Sequence, residues 1–231
     1  MGDDVLTAMP GIVKKLDVGA LVLDLDGTLV DSKDDIADSL NWTFERLGYE
    51  PLPMTVIEGF VGNGIMPLVK NAVIAAGHPE RFDDVLGAFR ERYYDHLLDK
   101  TRLFEGVMAT LERLSPSYSM GVVSNKPHKM AIKIIRELGM DRFFNAQVYG
   151  GDSLAVRKPD PASILMIAAR YNVPSSRTLV VGDSAVDIKA GKNAGAVTVG
   201  VTYGFRSVEE LTEAGPDTLI DRFGELLNLL L

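Results

Sequence analysis

The sequence predicts an α/β protein with a doubly wound, mostly parallel sheet and an inserted helical cap. Short apolar runs that end in polar or turn residues recur along the chain. Amphipathic stretches with apolar residues at helical spacing separate these runs. One long stretch in the first half of the chain is helical throughout and interrupts the alternation. Because alternating strands and helices favour right-handed βαβ units in a single open sheet, these three observations define the predicted fold class.

Length and composition are those of one large domain, or of a domain carrying a smaller insertion. The chain has 231 residues, of which 46% are hydrophobic, and it contains no cysteine. The lack of cysteine excludes a disulfide framework, a thiolate nucleophile and a Cys-ligated metal. The net charge of −8 makes nucleic acid a poor electrostatic partner. We find no signal-peptide pattern and no apolar run long enough for a bilayer, so we expect a cytoplasmic protein with no membrane partner.

The first predicted strand is the apolar run that begins at Ala20 and leads into Asp24 and Asp26. A short apolar run bounded by a turn is typical of a strand buried on both faces, as in a parallel sheet. Runs of the same character predict further strands over residues 120–124, 178–181 and 196–201. Apolar residues at helical spacing predict helices over residues 128–138 and 161–171.

The long helical stretch extends from about Ser32 to Glu105. Apolar residues at three- and four-residue spacing predict helices over residues 35–47, 64–76 and 82–98. Two strands joined by so long a helical excursion indicate a domain inserted after the first strand. We therefore predict a core formed by residues 1–31 and 106–231, and a helical cap formed by residues 32–105, called the cap segment below.

Carboxylates follow two of the predicted strands. Asp24 and Asp26 follow the first strand, and Asp183 and Asp187 follow the strand over residues 178–181. Ligands of open α/β sheets bind beyond the carboxyl ends of the strands. The i, i+4 spacing of Asp183 and Asp187 predicts that they share one face of a first helical turn. If the two strands are neighbours, up to four carboxylates converge, and a hard cation such as Mg²⁺ would neutralise them.

Residues that can bind an anion accompany these acids. Lys158 supplies a positive charge, and Ser124 and Asn125, at a strand-to-helix turn, can donate hydrogen bonds. A phosphoryl group in transfer carries charge on three oxygens, so electrostatic positioning does most of the catalysis. One carboxylate can act as nucleophile, and a second can protonate the leaving oxygen. The combination predicts a phosphoryl-transfer site.

Four segments of the chain resemble, in order, the four motifs of the haloacid dehalogenase-like hydrolase superfamily. They are residues 24–32 (DLDGTLVDS), 124–127 (SNKP), 157–161 (RKPDP) and 182–187 (GDSAVD). The cap segment falls where that superfamily places its first type of cap. The resemblance therefore covers nearly the whole chain and implies the superfamily's Rossmann-like core.

The resemblance implies a role for each matching residue. Asp24 would be the phosphate-accepting nucleophile, and Asp26 the general acid and base. Mg²⁺ would be held by the Asp24 side chain, the Asp26 main-chain oxygen and Asp183. Asp187 would orient the water shell of the metal. The residues that would bind the phosphoryl group are Ser124, Asn125 and Lys158.

Within the superfamily, the chain most resembles the phosphoglycolate phosphatases. The resemblance rests on the second motif, on residues 199–205 (VGVTYGF) and on the cap loop over residues 59–64 (GFVGNG). Ser124 stands where those proteins usually carry threonine, which keeps the hydroxyl donor. The cap loop is a candidate substrate loop through Gly62, Asn63 and Gly64, and a merely flexible turn is the alternative interpretation.

The resulting hypothesis is a Mg²⁺-dependent phosphomonoester phosphatase that converts 2-phosphoglycolate to glycolate and phosphate through an aspartyl phosphate. Its partner would be a small phosphorylated metabolite, and the protein would be a monomer or a homodimer. Two alternatives stay open within the superfamily: an inorganic pyrophosphatase, and another small-metabolite phosphatase or phosphomutase. Outside enzymology, the alternative is a regulatory protein that has kept the fold and lost the activity.

Overall fold

The computed structural model describes residues 15–231, and its architecture confirms the predicted fold class. The predicted core also includes residues 1–14, which lie outside the described part. The strands are β1 (Ala20–Leu23), β2 (Val30–Asp31), β3 (Arg102–Leu103), β4 (Ser119–Val123), β5 (Val148–Tyr149), β6 (Thr178–Gly182), β7 (Val197–Val201) and β8 (Thr218–Ile220). Six of them form one sheet in the order β5–β4–β1–β6–β7–β8, and all of its pairs are parallel.

The predicted apolar runs form the middle of this sheet. The runs over residues 120–124, 178–181 and 196–201 are β4, β6 and β7, each within one residue of the predicted bounds. The side chains of β1 are buried throughout, as expected for a strand covered on both faces. The edge strands β5 and β8 have only two and three residues, which is too short to produce a recognisable apolar run.

Helices cover the sheet and form the cap segment. In the part of the chain that the structure describes, they are α1 (Lys33–Arg46), α2 (Met54–Glu58), α3 (Ile65–Ala75), α4 (Phe82–Asp95), α5 (Val107–Leu114), α6 (His128–Glu137), α7 (Asp141–Phe144), α8 (Ala162–Arg170), α9 (Ala185–Ala194), α10 (Val208–Ala214) and α11 (Leu226–Leu230). The predicted helix over residues 82–98 was too long, because α4 ends at Asp95. Leu97 is buried beyond the end of α4 and so extended the apolar period.

The cap segment leaves and rejoins the core at one place. There β2 and β3 form an antiparallel pair, in which Val30 is opposite Leu103. The buried carboxylate of Asp35, near the start of α1, accepts hydrogen bonds from the backbone N–H groups of Lys100 and Thr101. The two crossings are therefore tied together by backbone pairing and by a side chain.

The winding of the chain places the candidate site at one edge of the sheet. From β1 the chain goes to β4 and β5 on one side, then returns to β6, β7 and β8 on the other. Such a reversal opens a crevice at the carboxyl ends of the strands around it. β1 pairs with both β4 and β6, so the residues that follow these three strands are neighbours. Within residues 15–231, no helix has both the length and the apolarity needed to cross a bilayer.

Candidate active site

Asp24 is at the centre of the site and is held from two sides. Its backbone N–H continues the pairing of β1 with β6 by donating to the Val181 carbonyl oxygen at 2.9 Å. The Lys158 ammonium group donates to Asp24 Oδ1 at 2.6 Å and to Asp187 Oδ1 at 2.5 Å. All three side chains are buried. Lys158 thus joins the carboxylate after β1 to a carboxylate after β6.

Three of the four predicted carboxylates converge. One oxygen from each of Asp24, Asp183 and Asp187 lies within 4.8 Å of the other two. Such an all-oxygen set of buried carboxylates fits a hard divalent cation such as Mg²⁺. The side chain of the fourth acid, Asp26, instead contacts a lysine, so the convergence is smaller than the sequence allowed.

The local structure around α9 differs from the predicted helical turn. Asp183 lies before α9, which begins at Ala185, so it does not share the first turn with Asp187. The Asp187 carboxylate instead caps the helix, because its Oδ2 accepts from the Ser184 N–H at 3.1 Å and from the Ser184 hydroxyl at 2.6 Å. One Asp187 oxygen therefore stabilises the helix start, and the other binds Lys158.

Asp183 is positioned by the segment that follows β7. The backbone N–H of Phe205 donates to Asp183 Oδ2 at 2.8 Å. A Cβ atom on Gly204 would lie 2.2 Å from the Asp183 Cβ, so only glycine permits this approach. The run over residues 199–205, on which the family resemblance partly rests, therefore ends in Gly204 and Phe205 for a physical reason: these two residues position Asp183.

Burial and the neighbouring charges alter the ionisation of the cluster. Burial raises the pKa of Asp24 to about 7; Lys158 opposes this rise and Asp187 adds to it. Burial, together with the charges of Asp187 and Asp24, also raises the pKa of Asp183 well above its usual range. Burial alone would lower the pKa of Lys158, but Asp187 and Asp24 hold it above its usual value. Asp24 and Asp183 therefore resist ionisation while Lys158 keeps its charge, and a bound divalent cation would favour their ionised forms.

Asp26 has a separate set of partners. The Ser32 hydroxyl donates to Asp26 Oδ1 at 2.5 Å. The Lys126 ammonium group donates to Asp26 Oδ1 and Oδ2 at 2.9 and 3.1 Å, and to the Tyr93 hydroxyl oxygen at 2.6 Å. The sequence analysis gave Lys126 no role, although it is part of the second motif. The signal that could have identified it is a lysine directly after a strand end in an otherwise acidic site.

Ser124 and Asn125 lie at the end of β4, as predicted from the sequence. The Ser124 N–H continues the sheet by donating to the Tyr149 carbonyl oxygen at 2.9 Å, and the Ser124 hydroxyl accepts from the Lys126 N–H at 3.1 Å. The Asn125 side-chain amide donates to the Gly62 carbonyl oxygen at 3.2 Å and to the Lys158 carbonyl oxygen at 3.3 Å. Asn125 therefore links the core to the cap segment.

The cap loop lies directly against this part of the core. Gly62 accepts the hydrogen bond from Asn125, and Asn63 is half-buried beside it. Gly64 has a φ of +91°, and a Cβ there would lie 2.8 Å from the Asn125 carbonyl oxygen. Both the positive φ and the close approach require glycine at position 64. The loop is thus closely packed on the core rather than free in solvent.

A small cavity of about 30 Å³ separates the cap segment from the acids. Its lining residues are Asp24, Asp26, Ser124 and Lys126 from the core, and Ile36, Val61, Gly62, Gly64, Ile65, Leu68, Phe89 and Tyr93 from the cap segment. A space of this size holds only a few water molecules. We therefore predict that a substrate enters when the cap segment moves away from the core.

Fold and site together define a hydrolase of the haloacid dehalogenase-like type: an acidic cluster at the carboxyl edge of a parallel sheet, covered by a helical segment. The family model described as "Haloacid dehalogenase-like hydrolase" matches residues 21–201. The chain belongs to this family, and the prediction of a hydrolase is confirmed.

Similar proteins carry a more specific name. The chain is 34% identical over 224 residues to a phosphoglycolate phosphatase of Psychrobacter arcticus, covering 94% of this chain and 97% of that protein. It is 32% identical to a phosphoglycolate phosphatase of Vibrio parahaemolyticus, with 93% and 96% covered. The crystal structure of a predicted phosphoglycolate phosphatase from Haemophilus somnus superimposes with a TM-score of 0.87 at 31% identity, over 92% of this chain and 98% of that one. The resemblance to phosphoglycolate phosphatases is confirmed.

Proposed function

We propose that this protein is a Mg²⁺-dependent phosphomonoester phosphatase whose substrate is 2-phosphoglycolate. The observation that carries the reaction class is the buried cluster of Asp24, Asp183 and Asp187, in which Asp24 and Asp187 bind the Lys158 ammonium group. Such a cluster offers a nucleophile, a cation site and a fixed positive charge in one place. The names of the similar proteins support the choice of substrate.

The acids have different proposed roles: some would hold the metal, and one attacks phosphorus. The residues that would hold Mg²⁺ are the Asp24 side chain, the Asp26 main-chain oxygen and Asp183, with Asp187 orienting the metal's water shell. When bound, the cation supplies charge stabilisation for the phosphoryl oxygens. Lys158, Ser124 and Asn125 bind the same oxygens, which holds the phosphorus atom in line with Asp24.

The reaction proceeds in two displacements. A carboxylate oxygen of Asp24 attacks phosphorus, the bond from phosphorus to the ester oxygen breaks, and Asp26 gives its proton to the departing alkoxide. This forms glycolate and an aspartyl phosphate. Asp26 then takes a proton from a water molecule, whose oxygen attacks phosphorus and releases Asp24 and inorganic phosphate.

The cap segment is proposed to control access and to favour a small substrate. Residues 32–105 close over the core formed by residues 1–31 and 106–231, and the cavity that remains is small and partly apolar. Gly62, Asn63 and Gly64 would face the part of the substrate that is not the phosphoryl group. A small phosphorylated metabolite, a cytoplasmic location and a monomeric or homodimeric state complete the proposal.

The test is a panel of small phosphate esters, assayed for phosphate release with Mg²⁺ and again with an excess of chelator. We expect 2-phosphoglycolate to be among the best substrates by kcat/KM, and the chelator to abolish turnover. Asp24→Asn should lower kcat by about 10³-fold or more, because the amide is a poor nucleophile. The control is Asp141→Asn, the same change at an exposed position in α7, which should leave kcat unchanged.

Each alternative gives a different outcome in this panel. Preference for inorganic pyrophosphate, or return of the phosphoryl group to a sugar, would replace the substrate and keep the class. Turnover that persists in Asp24→Asn would refute the nucleophile assignment. No activity on any ester with Mg²⁺ would favour an inactive regulatory protein.

A further inference from the structure

The contacts of Lys126 connect the proposed general acid to the cap segment. Lys126 follows β4 in the core, whereas Tyr93 belongs to α4 in the cap segment. The Lys126 ammonium group has three N–H donors, and three acceptors surround it: both oxygens of Asp26 and the Tyr93 hydroxyl oxygen. The donors of the ammonium group are therefore all used.

The three side chains that make these contacts are buried from solvent. Lys126 is 5% exposed, Tyr93 1% and Asp26 8%. Tyr93 is fixed in turn, because its ring stacks on Phe89 with 5.4 Å between the ring centroids. The Lys126 nitrogen also lies 4.7 Å from the centroid of the Tyr93 ring. Buried, fully used hydrogen bonds of this kind restrict a side chain to one orientation.

The contact with both oxygens fixes the plane of the Asp26 carboxyl group. A group that rotates about its last torsion loses one oxygen from Lys126. The Ser32 hydroxyl alone binds only Oδ1 and leaves this rotation possible. Because Tyr93 lies on the cap segment, the arrangement is complete only when the cap segment rests on the core.

We infer that Lys126 and Tyr93 are positioning residues: Tyr93 holds the Lys126 ammonium group, and Lys126 orients the Asp26 carboxyl group toward the leaving oxygen when the cap segment is closed. The inference rests on the proposed function, in which Asp26 is the general acid. Neither side chain needs to touch the substrate. Closure of the cap segment then completes the proton donor as well as excluding water.

The test compares two substrates of similar size that differ in their need for a proton. In 2-phosphoglycolate the leaving group is an alkoxide, which needs the proton of Asp26. In acetyl phosphate it is a carboxylate, which takes the electron pair of the broken P–O bond and departs without a proton. The quantity measured is kcat/KM, because it reports the steps up to departure of the leaving group.

We expect Tyr93→Phe, which keeps the ring and removes one hydroxyl, to lower kcat/KM for 2-phosphoglycolate about 10-fold and for acetyl phosphate less than about 2-fold. General acid catalysis contributes about 10²–10⁴-fold, so partial misorientation gives part of that factor. Lys126→Met should show the same selectivity with a larger loss. The control is Tyr94→Phe, the same change at the next residue, whose ring lies instead over Lys129 and Lys133.

A double-mutant cycle gives a second measurement. If Tyr93 acts through Asp26, Tyr93→Phe should cause no further loss in kcat/KM when Asp26→Asn is already present. Equal losses on both substrates, no loss on either, or an undiminished loss in the Asp26→Asn background would each overturn the inference. A wild-type protein that hydrolyses neither ester with Mg²⁺ would instead refute the proposed function, and with it the inference.

Discussion

The two acids that follow β1 bind different lysines. Lys158 binds Asp24 and Asp187, whereas Lys126 binds Asp26. The pairing therefore keeps the two acids that follow β1 in different environments, although only Leu25 separates them. Different environments are what a nucleophile and a proton donor need.

The pKa of Asp24 predicts how the stability of the metal-free protein depends on pH. Its pKa rises from 3.8 to about 7 in the folded state, mainly through burial, with Asp187 adding to the rise and Lys158 opposing it. Between these values the folded protein binds more protons at Asp24 than the unfolded chain does. The contribution of Asp24 to the free energy of unfolding therefore falls as pH rises through this window, and is constant above it.

The variant Asp24→Asn has no carboxyl group to titrate at position 24, so comparing it with the wild type isolates the contribution of Asp24 to stability. In chelator, its free energy of unfolding should exceed that of the wild type, and the difference should grow by roughly 2–3 kcal/mol from pH 5 to pH 8. Urea unfolding of both proteins across this range measures the difference. A difference that stays constant with pH would contradict the raised pKa of Asp24.

The sequence predicted that most residues of the candidate site lie close together, because carboxylates at strand ends are rare and conspicuous. Asp24, Asp183 and Ser124 follow neighbouring strands, and the parallel sheet brings them together. The sequence could not show that Asp26 binds Lys126, or that Tyr93 completes this contact, because the pairing joins residues 100 and 33 positions apart. Nothing local distinguishes such a lysine or tyrosine from a packing residue.

Secondary-structure elements also differ in whether the local sequence or the surrounding fold determines them. β4, β6 and β7 have five residues each, and their apolar runs stand out in the sequence. β2, β3 and β5 have two residues each, so their pairing is decided by their neighbours in the fold rather than by a pattern of their own. Helix α4 was found from its period, but its end was missed because Leu97 continues the apolar spacing.

Helix α4 also offers a test of how backbone conformation alone affects stability. Gly87 lies in its interior and is exposed, and a Cβ there would meet nothing within 4 Å. We expect Gly87→Ala to raise the free energy of unfolding by about 0.5–1 kcal/mol, because alanine is the better helix former. Urea unfolding measures the change.

The matched control is Gly48→Ala, just after the end of α1. A Cβ there would also meet nothing within 4 Å, but Gly48 has a φ of +81°. The same substitution should therefore lower the free energy of unfolding by about 1 kcal/mol. If both variants change stability in the same direction, backbone conformation is not what separates them.

For the molecule as a whole, we predict that the main structural division is between the cap segment and the core that contains the sheet. The cap segment rests on the core through backbone carbonyl groups: Asn125 donates to Gly62, and Arg206 donates to Gly59 at 2.8 Å and to Val61 at 2.6 Å. We predict that these contacts break and re-form as the cap segment opens and closes. Because the cavity beneath is only about 30 Å³, we predict that opening precedes each turnover.

We expect Arg206 to control how often the cap segment opens. Arg206→Gln shortens the side chain and removes both hydrogen bonds to the cap loop. Hydrogen bonds from a charged donor contribute about 1.5–3 kcal/mol when buried, and Arg206 is partly exposed, so we expect a loss of about 1–2 kcal/mol from the closed arrangement. This corresponds to roughly a 10-fold greater open population.

Hydrogen exchange read out by mass spectrometry on a peptide that spans the cap loop over residues 59–64 measures this population directly. We expect roughly 10-fold faster exchange there and an almost unchanged midpoint of urea unfolding, since α4 and the sheet keep their own packing. The control is Arg222→Gln, the same change at an exposed arginine that contacts only Glu225 among the described ion pairs. Unchanged exchange in the cap loop would mean that Arg206 does not hold the cap segment closed. Equally faster exchange in the strands of the sheet would mean that the cap segment and the core open as a single unit.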